Sequence, residues 1–268
     1  MSNILILGGD GYLGWPAAMY FSNRGHDVTV VDNYFRRHIG DHINAAMLYP
    51  VPTLIERAKI WYKETGYEIR VIIGDLTDPE LMRSLFSGQG VNYDWSINNS
   101  YAGIPDTVIH YAEQPSAPYS LMNYKTANFT ITNNLLVTNN LLFAIRDLAP
   151  DVHIIKLGTM GEYGTPNIDI EEGWINIESK GRKDKFLFPR QAGSLYHTPK
   201  IMDTKGRVPQ YSCNMIQLYI CMYLYIEYMT HINVKGEITI RIDACSCKLQ
   251  LYIFGELAEV KNNEPQLE

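Results

Sequence analysis

Cysteine is absent from the first 212 residues of this 268-residue chain; all four, Cys213, Cys221, Cys245 and Cys247, fall in the last quarter. A disulfide framework across the N-terminal three quarters is therefore excluded. Cys245 and Cys247 lack both the spacing and the nearby histidine that structural zinc uses, so no metal site is expected. Long apolar runs are missing too. Nothing from residue 1 to 210 approaches an uninterrupted membrane span. Nor is there an excess of positive charge: a formal net charge of −6 argues against a general nucleic-acid surface. The first apolar run starts at Ser2 and leaves no room for a signal or transit peptide, so the expectation is a soluble, cytoplasmic protein. With 46% hydrophobic residues, the length suits one large domain or two small ones.

What is present begins at the N-terminus. Residues 2–7 are a short apolar run with β-branched members and read as a buried strand. Gly8, Gly11 and Gly14 follow with the spacing GxxGxxG, and an Ala-rich stretch at 17–21 reads as a helix. Gly8 permits a tight turn, Gly11 lets a pyrophosphate approach the backbone, and Gly14 lets helix pack close to sheet. Unpaired N–H groups at the helix start then face the anion. Residues 26–32 read as a second strand, which Asp32 ends 18 residues after Gly14. An acidic side chain there accepts hydrogen bonds from ribose hydroxyls and repels a 2′-phosphate, which favours NAD over NADP. Arg36 and Arg37 follow closely and are candidates to offset cofactor phosphate charge, weakening the NAD-only reading a little.

Further along, residues 53–65 have helical periodicity and Gly66 ends the helix; residues 68–73 form a third strand. Asp75, at that strand's carboxyl edge, is placed to approach an adenine amino group, whereas Asp78 before Pro79 reads as a helix cap. Residues 88–104 read as a loop or small insertion and 107–112 as the fourth strand. The loop at 113–120, stiffened by Pro115 and Pro118, suits a site beside a nicotinamide and a sugar. Residues 124–145 read as one long helix with four poor helix formers, Asn133, Asn134, Asn139 and Asn140, some of which are expected to bind backbone or cofactor-side groups. Residues 152–157 are the fifth strand, after which Thr159 is placed to donate to a substrate hydroxyl or carbonyl. A long charged excursion at 165–190 is expected to border the sugar site. Tyr196 and Lys200, at i and i+4, share one helix face. There the ammonium lowers the tyrosine pKa and can hold a ribose, so the tyrosine can act as acid and base. Thirty-seven residues after Thr159, the pair completes a reductase-type Thr–Tyr–Lys arrangement.

Six segments, GGDGYLGW at 8–15, VVDNYFRR at 30–37, GDLTD at 74–78, HYAEQPSAPYS at 110–120, KLGTMGEYGTPNIDIEEG at 156–173 and YHTPK at 196–200, carry a family resemblance. Over roughly residues 3–204 the chain resembles the UDP-sulfoquinovose synthase family. That family is a branch of the extended short-chain dehydrogenase/reductases in the NAD-dependent epimerase/dehydratase superfamily. The resemblance implies an α/β fold, a Rossmann-type doubly wound parallel sheet, with an incomplete C-terminal substrate-binding region. It implies conversion of UDP-glucose and sulfite, or sulfite from a donor, to UDP-sulfoquinovose through a 4-keto intermediate with recycled NAD. Tyr196 would remove the 4-hydroxyl proton, Thr159 would support the transfer and Lys200 would tune Tyr196. Gly8, Gly11, Tyr12, Leu13, Gly14, Asp32, Asn33, Arg36, Asp75 and Leu76 would bind NAD together with Tyr196 and Lys200. Gln114, Ser116, Met160, Glu162 and His197 would line the sugar site. A homodimer through the 124–145 helix follows by fold analogy.

Two departures accompany the match. Pro115 stands where plant and cyanobacterial members are expected to carry a basic residue. Pro199 lies inside the Tyr–Lys helix and must occupy its first turn if the pair keeps its place. The resemblance ends at 204, so residues 1–204 are expected to form the NAD-binding domain with the catalytic residues, and 205–268 an atypical segment. Within that segment, 211–230 reads as a buried or misfolded helix, and 237–242 and 249–254 as candidate strands. A truncated or altered reading frame is the expectation there. A UDP- or dTDP-sugar 4-epimerase or dehydratase, and an inactive NAD-binding remnant, are the alternative functions.

Overall fold

The computed structural model describes residues 1–42, 50–97, 103–170, 174–205, 215–219, 252–253 and 256–257. Short apolar runs become parallel strands: β1 (Asn3–Leu7), β2 (Asp27–Asp32), β3 (Ile69–Ile73), β4 (Thr107–His110) and β5 (His153–Gly158). Each apolar run is nearly continuous because helices cover both faces of the sheet. Alternation then sorts the residues. Leu5, Leu7, Val31, Ile72, Val108 and Ile154 join one core. Ile4, Ile6, Val28, Val30, Ile69, Val71 and Ile109 join the other, on the opposite face.

Helices α1 (Gly14–Ser22), α2 (Phe35–His42), α3 (Leu54–Thr65), α4 (Pro79–Ser84), α5 (Ala117–Ser120) and α6 (Tyr124–Leu148) connect the strands. Their ends are written locally. Thr53 and Glu56 form a capping box at the start of α3, and Gly66 ends it at φ 75°. Asp78 caps α4 through the Glu80 amide, with Pro79 in the first turn. Asn123 caps α6 at two amides. Helix α2 was not foreseen from sequence; the Asn33 side chain accepts from the Phe35 amide at its start.

The excursion at 165–190 contains an antiparallel hairpin of β6 (Trp174–Ser179) and β7 (Arg182–Leu187). Lys180 and Gly181 between them both have positive φ, 52° and 75°, as a two-residue turn with the right twist requires. Helix α7 (His197–Lys205) follows. Pro199 is its third residue, in the first turn, where the absent N–H breaks no helical bond.

A sixth strand, β8 (Met215–Tyr219), runs parallel to β5 and completes the order β3-β2-β1-β4-β5-β8. This corrects the helical reading of 211–230 over those five residues: the β5 edge offers unpaired backbone groups, and the segment takes them. The sheet is the doubly wound Rossmann-type arrangement, with its crevice at the carboxyl ends of β1 and β4. The expected strand at 237–242 and the four cysteines lie outside the described residues. Met1–Met222 and Tyr223–Glu268 are separate units; in the second, β9 (Tyr252–Ile253) pairs antiparallel with β10 (Glu256–Leu257). Among the described residues, no helix is long and apolar enough to cross a membrane.

The glycine turn has the least spare room. A Cβ on Gly14 would lie 2.0 Å from the Gly8 carbonyl oxygen, whereas one on Gly25 would meet nothing within 4 Å. Gly14→Ala is therefore expected to destabilise the fold by about 3 kcal/mol, as overpacking against backbone does. Gly25→Ala should cost about 1 kcal/mol, from its positive φ alone. Urea unfolding of both variants checks the ranking.

Candidate functional site

The turn between β1 and α1 is held from three sides. Gly8 takes φ 89° and presses on the Tyr111–Ala112 backbone, where a Cβ would sit 2.7 Å from the Tyr111 carbonyl carbon. Gly9, not singled out from sequence, leaves no room either: its Cβ would fall 2.5 Å from that of Val30. Gly11 is the open member, with only the Gly8 carbonyl within reach at 3.1 Å. Leu13 stands at the start of α1, and Tyr12 is exposed under the Arg36 guanidinium, 5.7 Å from its ring centre.

Asp32 ends β2 beside this turn. One carboxylate oxygen accepts from the Asp10 amide at 2.8 Å and the other from the Tyr34 amide at 2.7 Å. Burial raises its pKa above the usual carboxylate value, against the lowering effect of those two bonds. Arg37, read as a phosphate partner, is instead committed to Asp10, with bonds of 2.7 and 2.6 Å, and Arg57 joins it on the same carboxylate. The reason is local: Asp10 has side-chain exposure of only 6% and requires counter-charge. Asp75 is exposed and accepts from the Thr77 amide and hydroxyl. The Leu76 side chain is buried in the core, and its carbonyl accepts from Asn140.

The carboxyl ends of β4 and β5 form the second half of the site. The Glu113 carboxylate lies between two lysines: Lys156 from β5 binds one oxygen and Lys200 from α7 the other. All three side chains are 7% exposed or less. Lys200 also donates to the Leu157 carbonyl at 3.3 Å, and its ammonium lies 6.0 Å from the Tyr196 ring centre. Thr159 caps the 3₁₀ turn Met160–Tyr163 through the Gly161 amide. That turn meets the start of α7: the Gly193 amide donates to the Gly161 carbonyl, and the His197 ring covers Gly161 so closely that a Cβ would sit 2.2 Å from Nε2. His197 Nδ1 is 3.1 Å from Ser194 Oγ, and partial burial lowers its pKa. Tyr196 immediately precedes α7, its ring edge-on to His197. The structure thus gathers Tyr196, His197, Lys200 and the 159–163 turn.

Other expected sugar contacts are placed differently. Gln114 is 1% exposed; both amide donors are spent on the Ser116 carbonyl and Thr130 Oγ1, and its oxygen accepts from the Ser116 amide. It builds the loop rather than facing a ligand. Ser116 caps the single turn α5 through the Tyr119 amide, so the stiff loop is in part helical. Glu162 is fully buried and faces Arg190 at 3.7 Å. Met160 remains 39% exposed. Asn134 binds both the amide and carbonyl of Gln114, and Asn140 binds the 76 and 77 carbonyls, so these two helix asparagines serve backbone.

His110, Glu113, Lys156 and Arg190 were not foreseen. A charge directly within or after an apolar strand, as at Lys156 and Glu113, was the available signal. His110 is fully buried near Thr138 Oγ1. Burial, then Lys156 and Lys200, hold its pKa well below 6.5. Folded His110 therefore binds fewer protons than the unfolded chain, and its contribution to stability is present above pH 6.5 and is lost as pH falls below it. His110→Gln is expected to remove about 1.4 kcal/mol per pH unit from the acid-side slope. Unfolding midpoints followed from neutral pH downward check this.

No family model matches the chain. It is 41% identical over 201 residues to the chloroplastic UDP-sulfoquinovose synthase of Spinacia oleracea, covering 75% of this chain and 39% of the relative. It is 38% identical over 202 residues to the UDP-sulfoquinovose synthase of Sulfolobus acidocaldarius, covering 75% and 48%. The chain thus spans less than half the length of these curated relatives. Among solved structures, a UDP-glucose 4-epimerase from Bifidobacterium longum in complex with NAD+ and UDP is similar at TM-score 0.54 and 23% identity, covering 81% of this chain and 52% of that one. An epimerase of Stenotrophomonas maltophila is similar at TM-score 0.56 and 18% identity, covering 82% and 52%. With the Rossmann-type sheet, the glycine turn and the Tyr196–Lys200 pair in place, the chain is closely related over three quarters of its length to the UDP-sulfoquinovose synthases of the extended short-chain dehydrogenase/reductases.

Proposed function

We propose that this chain binds NAD and a UDP-sugar and performs UDP-sulfoquinovose synthase chemistry. The observation that carries the proposal is the Lys200 ammonium, buried at the carboxyl edge of the sheet and 6.0 Å from the Tyr196 ring centre. The residues fit the cofactor. Gly11 leaves open space over the turn, while Gly8, Gly9 and Gly14 are closed against protein. Asp32 lies at the end of β2 with each oxygen holding one amide, leaving lone pairs for ribose hydroxyls. Tyr12, Leu13, Asn33, Arg36, Asp75 and the Leu76 backbone border the same edge. When bound, NAD supplies a hydride acceptor and later the hydride donor at the sugar ring.

Tyr196 takes the proton from the sugar 4-hydroxyl, and the Lys200 charge stabilises the phenolate that does so. Thr159 supports that transfer. The 4-keto group acidifies the C5 proton, water leaves from C6, and sulfite adds to the unsaturated sugar. Met160 and His197 border the ring. Pro115 provides no cation for sulfite in the 113–120 loop, so the anion is received elsewhere along this edge.

Incubation with UDP-glucose, with and without sulfite, tests the reading. The expected result is a sulfonated sugar nucleotide formed only with sulfite and lost roughly 10³-fold in Tyr196→Phe, with NAD retained. A sulfite-independent 4-epimer or 4-keto product would assign the chain to the epimerases or dehydratases. Retained NAD without UDP-glucose binding would mark a non-catalytic nucleotide-binding chain.

The proposal extends to a homodimer through α6, supported by Leu136 and Phe143, which are 40% and 48% exposed and seven residues apart on one helix face. Sedimentation is expected to show a dimer that Leu136→Glu converts to monomer; a monomeric parent chain would exclude it.

A further inference from the structure

Asp10 has no role in the proposed chemistry, yet it sits in the middle of the glycine turn with its side chain only 6% exposed. Its backbone and its side chain serve different partners. The amide donates to Asp32 Oδ2 at 2.8 Å, which sets residue 10 directly against the acidic end of β2. The carboxylate takes two arginines from further along the chain. Arg37 of α2 binds it through Nε and Nη2, at 2.7 and 2.6 Å, and Arg57 of α3 joins on Oδ1. The backbone before Asp10 has little room to shift. A Cβ on Gly9 would fall 2.5 Å from that of Val30, and the Gly9 amide donates to the Val31 carbonyl.

Cofactor choice turns on groups of these two kinds. An acidic residue at the end of β2 suits a free ribose 2′-hydroxyl, whereas a nearby arginine accommodates a 2′-phosphate. Both are present here. Burial raises the Asp32 pKa; the Asp10 charge adds to that rise and the Arg37 charge opposes it, so both lie within electrostatic reach of Asp32. Arg37 is nevertheless held elsewhere. Besides its fork on Asp10, Nη1 donates to the Val51 carbonyl and Nη2 to the Pro52 carbonyl, both at 2.8 Å. These bonds engage four of the five N–H groups of the guanidinium. Arg57 is 14% exposed and lies over the Trp15 ring, 4.7 Å from its centre. A forked arginine–carboxylate contact is strong and directional, so Arg37 has its place before any cofactor arrives.

We propose, resting on the NAD reading of this edge, that Asp10 is a positioning residue for cofactor choice: by holding Arg37, together with Arg57, it withholds from the ribose end of the site the cations that a 2′-phosphate needs. Asp32 selects for the hydroxyl, and Asp10 removes the means of accepting the phosphate. Arg36, over the Tyr12 ring, is common to the parent chain and every variant of the test.

The full chain and its variants are equilibrated with NADH and with NADPH at one ionic strength, and both dissociation constants are read from nucleotide fluorescence. The parent chain is expected to prefer NADH. Asp10→Asn should raise affinity for NADPH relative to NADH about tenfold, the worth of one hydrogen bond between charged groups. Adding Arg37→Gln to Asp10→Asn should return the ratio to that of the parent. Arg37→Gln alone keeps the Asp10–Arg57 pair and should leave the ratio unchanged. It carries the test if Asp10→Asn does not fold, because an arginine already serving the 2′-phosphate would weaken NADPH binding when removed. A role of Asp10 in packing alone would weaken both nucleotides alike and leave their ratio unmoved. An unmoved ratio in Asp10→Asn, a gain that survives Arg37→Gln, or a loss of NADPH affinity in Arg37→Gln alone overturns the inference and leaves the NAD reading standing. A parent chain that binds neither nucleotide overturns both.

Discussion

The Gly8 carbonyl and the Cα of Gly14 approach so closely that a methyl group on Gly14 would sit 2.0 Å from that oxygen. Helix α1 packs this close to the turn only because Gly14 carries no side chain. From that contact the rest of this edge follows. The turn is forced back over β2, where the Gly8 and Gly9 amides both donate to the Val31 carbonyl. That brings the Asp10 amide to Asp32. The Asp10 carboxylate, now under protein, needs counter-charge, and Arg37 from α2 and Arg57 from α3 supply it. One steric constraint thus orders a turn, two helices and the acidic end of β2. The buried ion pairs are consequences of that packing, and they bring specificity of placement more than net stability.

The second half of the site is built on different terms. Its scaffold is the polar face of α6, where Thr130, Asn134 and Thr138 are buried against the β4 end and the loop after it. Asn134 reads the Gln114 backbone as a strand neighbour would, with one acceptor and one donor. The helix gives up propensity to these residues and gains a loop of fixed shape. That loop delivers Glu113 to the two lysines. The glycine-turn edge is therefore set by absence of side chains, and the Glu113 edge by side chains that satisfy one another.

Sequence periodicity carried the fold well where local chemistry and tertiary demand coincide. The first five strands, the glycine turn, the helix ends at Asp78 and Gly66 and the place of Pro199 all follow from spacing and residue type, whereas Thr53, read within the helix, is its cap. The strand at 215–219 was read as helix because its pairing is set by the β5 edge, not by its own pattern. Gln114 and Glu162 resembled sugar contacts, since a polar residue in a carboxyl-edge loop is ambiguous until its partners are known; burial decided for Thr130, Ser116 and Arg190. Arg37 was misread for a similar reason. Its partner is 27 positions away in sequence, and no local pattern joins them. Tyr196 and Lys200 were legible as a pair, but the charge that accompanies them was not, because Glu113 and Lys156 come from two further elements.

Burying that charge demands a physical return. An ammonium removed from water costs several kcal/mol, and the carboxylate shared by Lys156 and Lys200 offsets part of that cost. His110 shows the same strain from the other side: it stays neutral beside two cations, and acid conditions that protonate it must break the packing that surrounds it. Tyr196, just before α7, lies near this buried charge, with the Lys200 ammonium 6.0 Å from its ring centre. In the proposed reaction a Tyr196 phenolate would form beside a Lys200 ammonium already held by Glu113 and the Leu157 carbonyl, with little reorganisation left for that step.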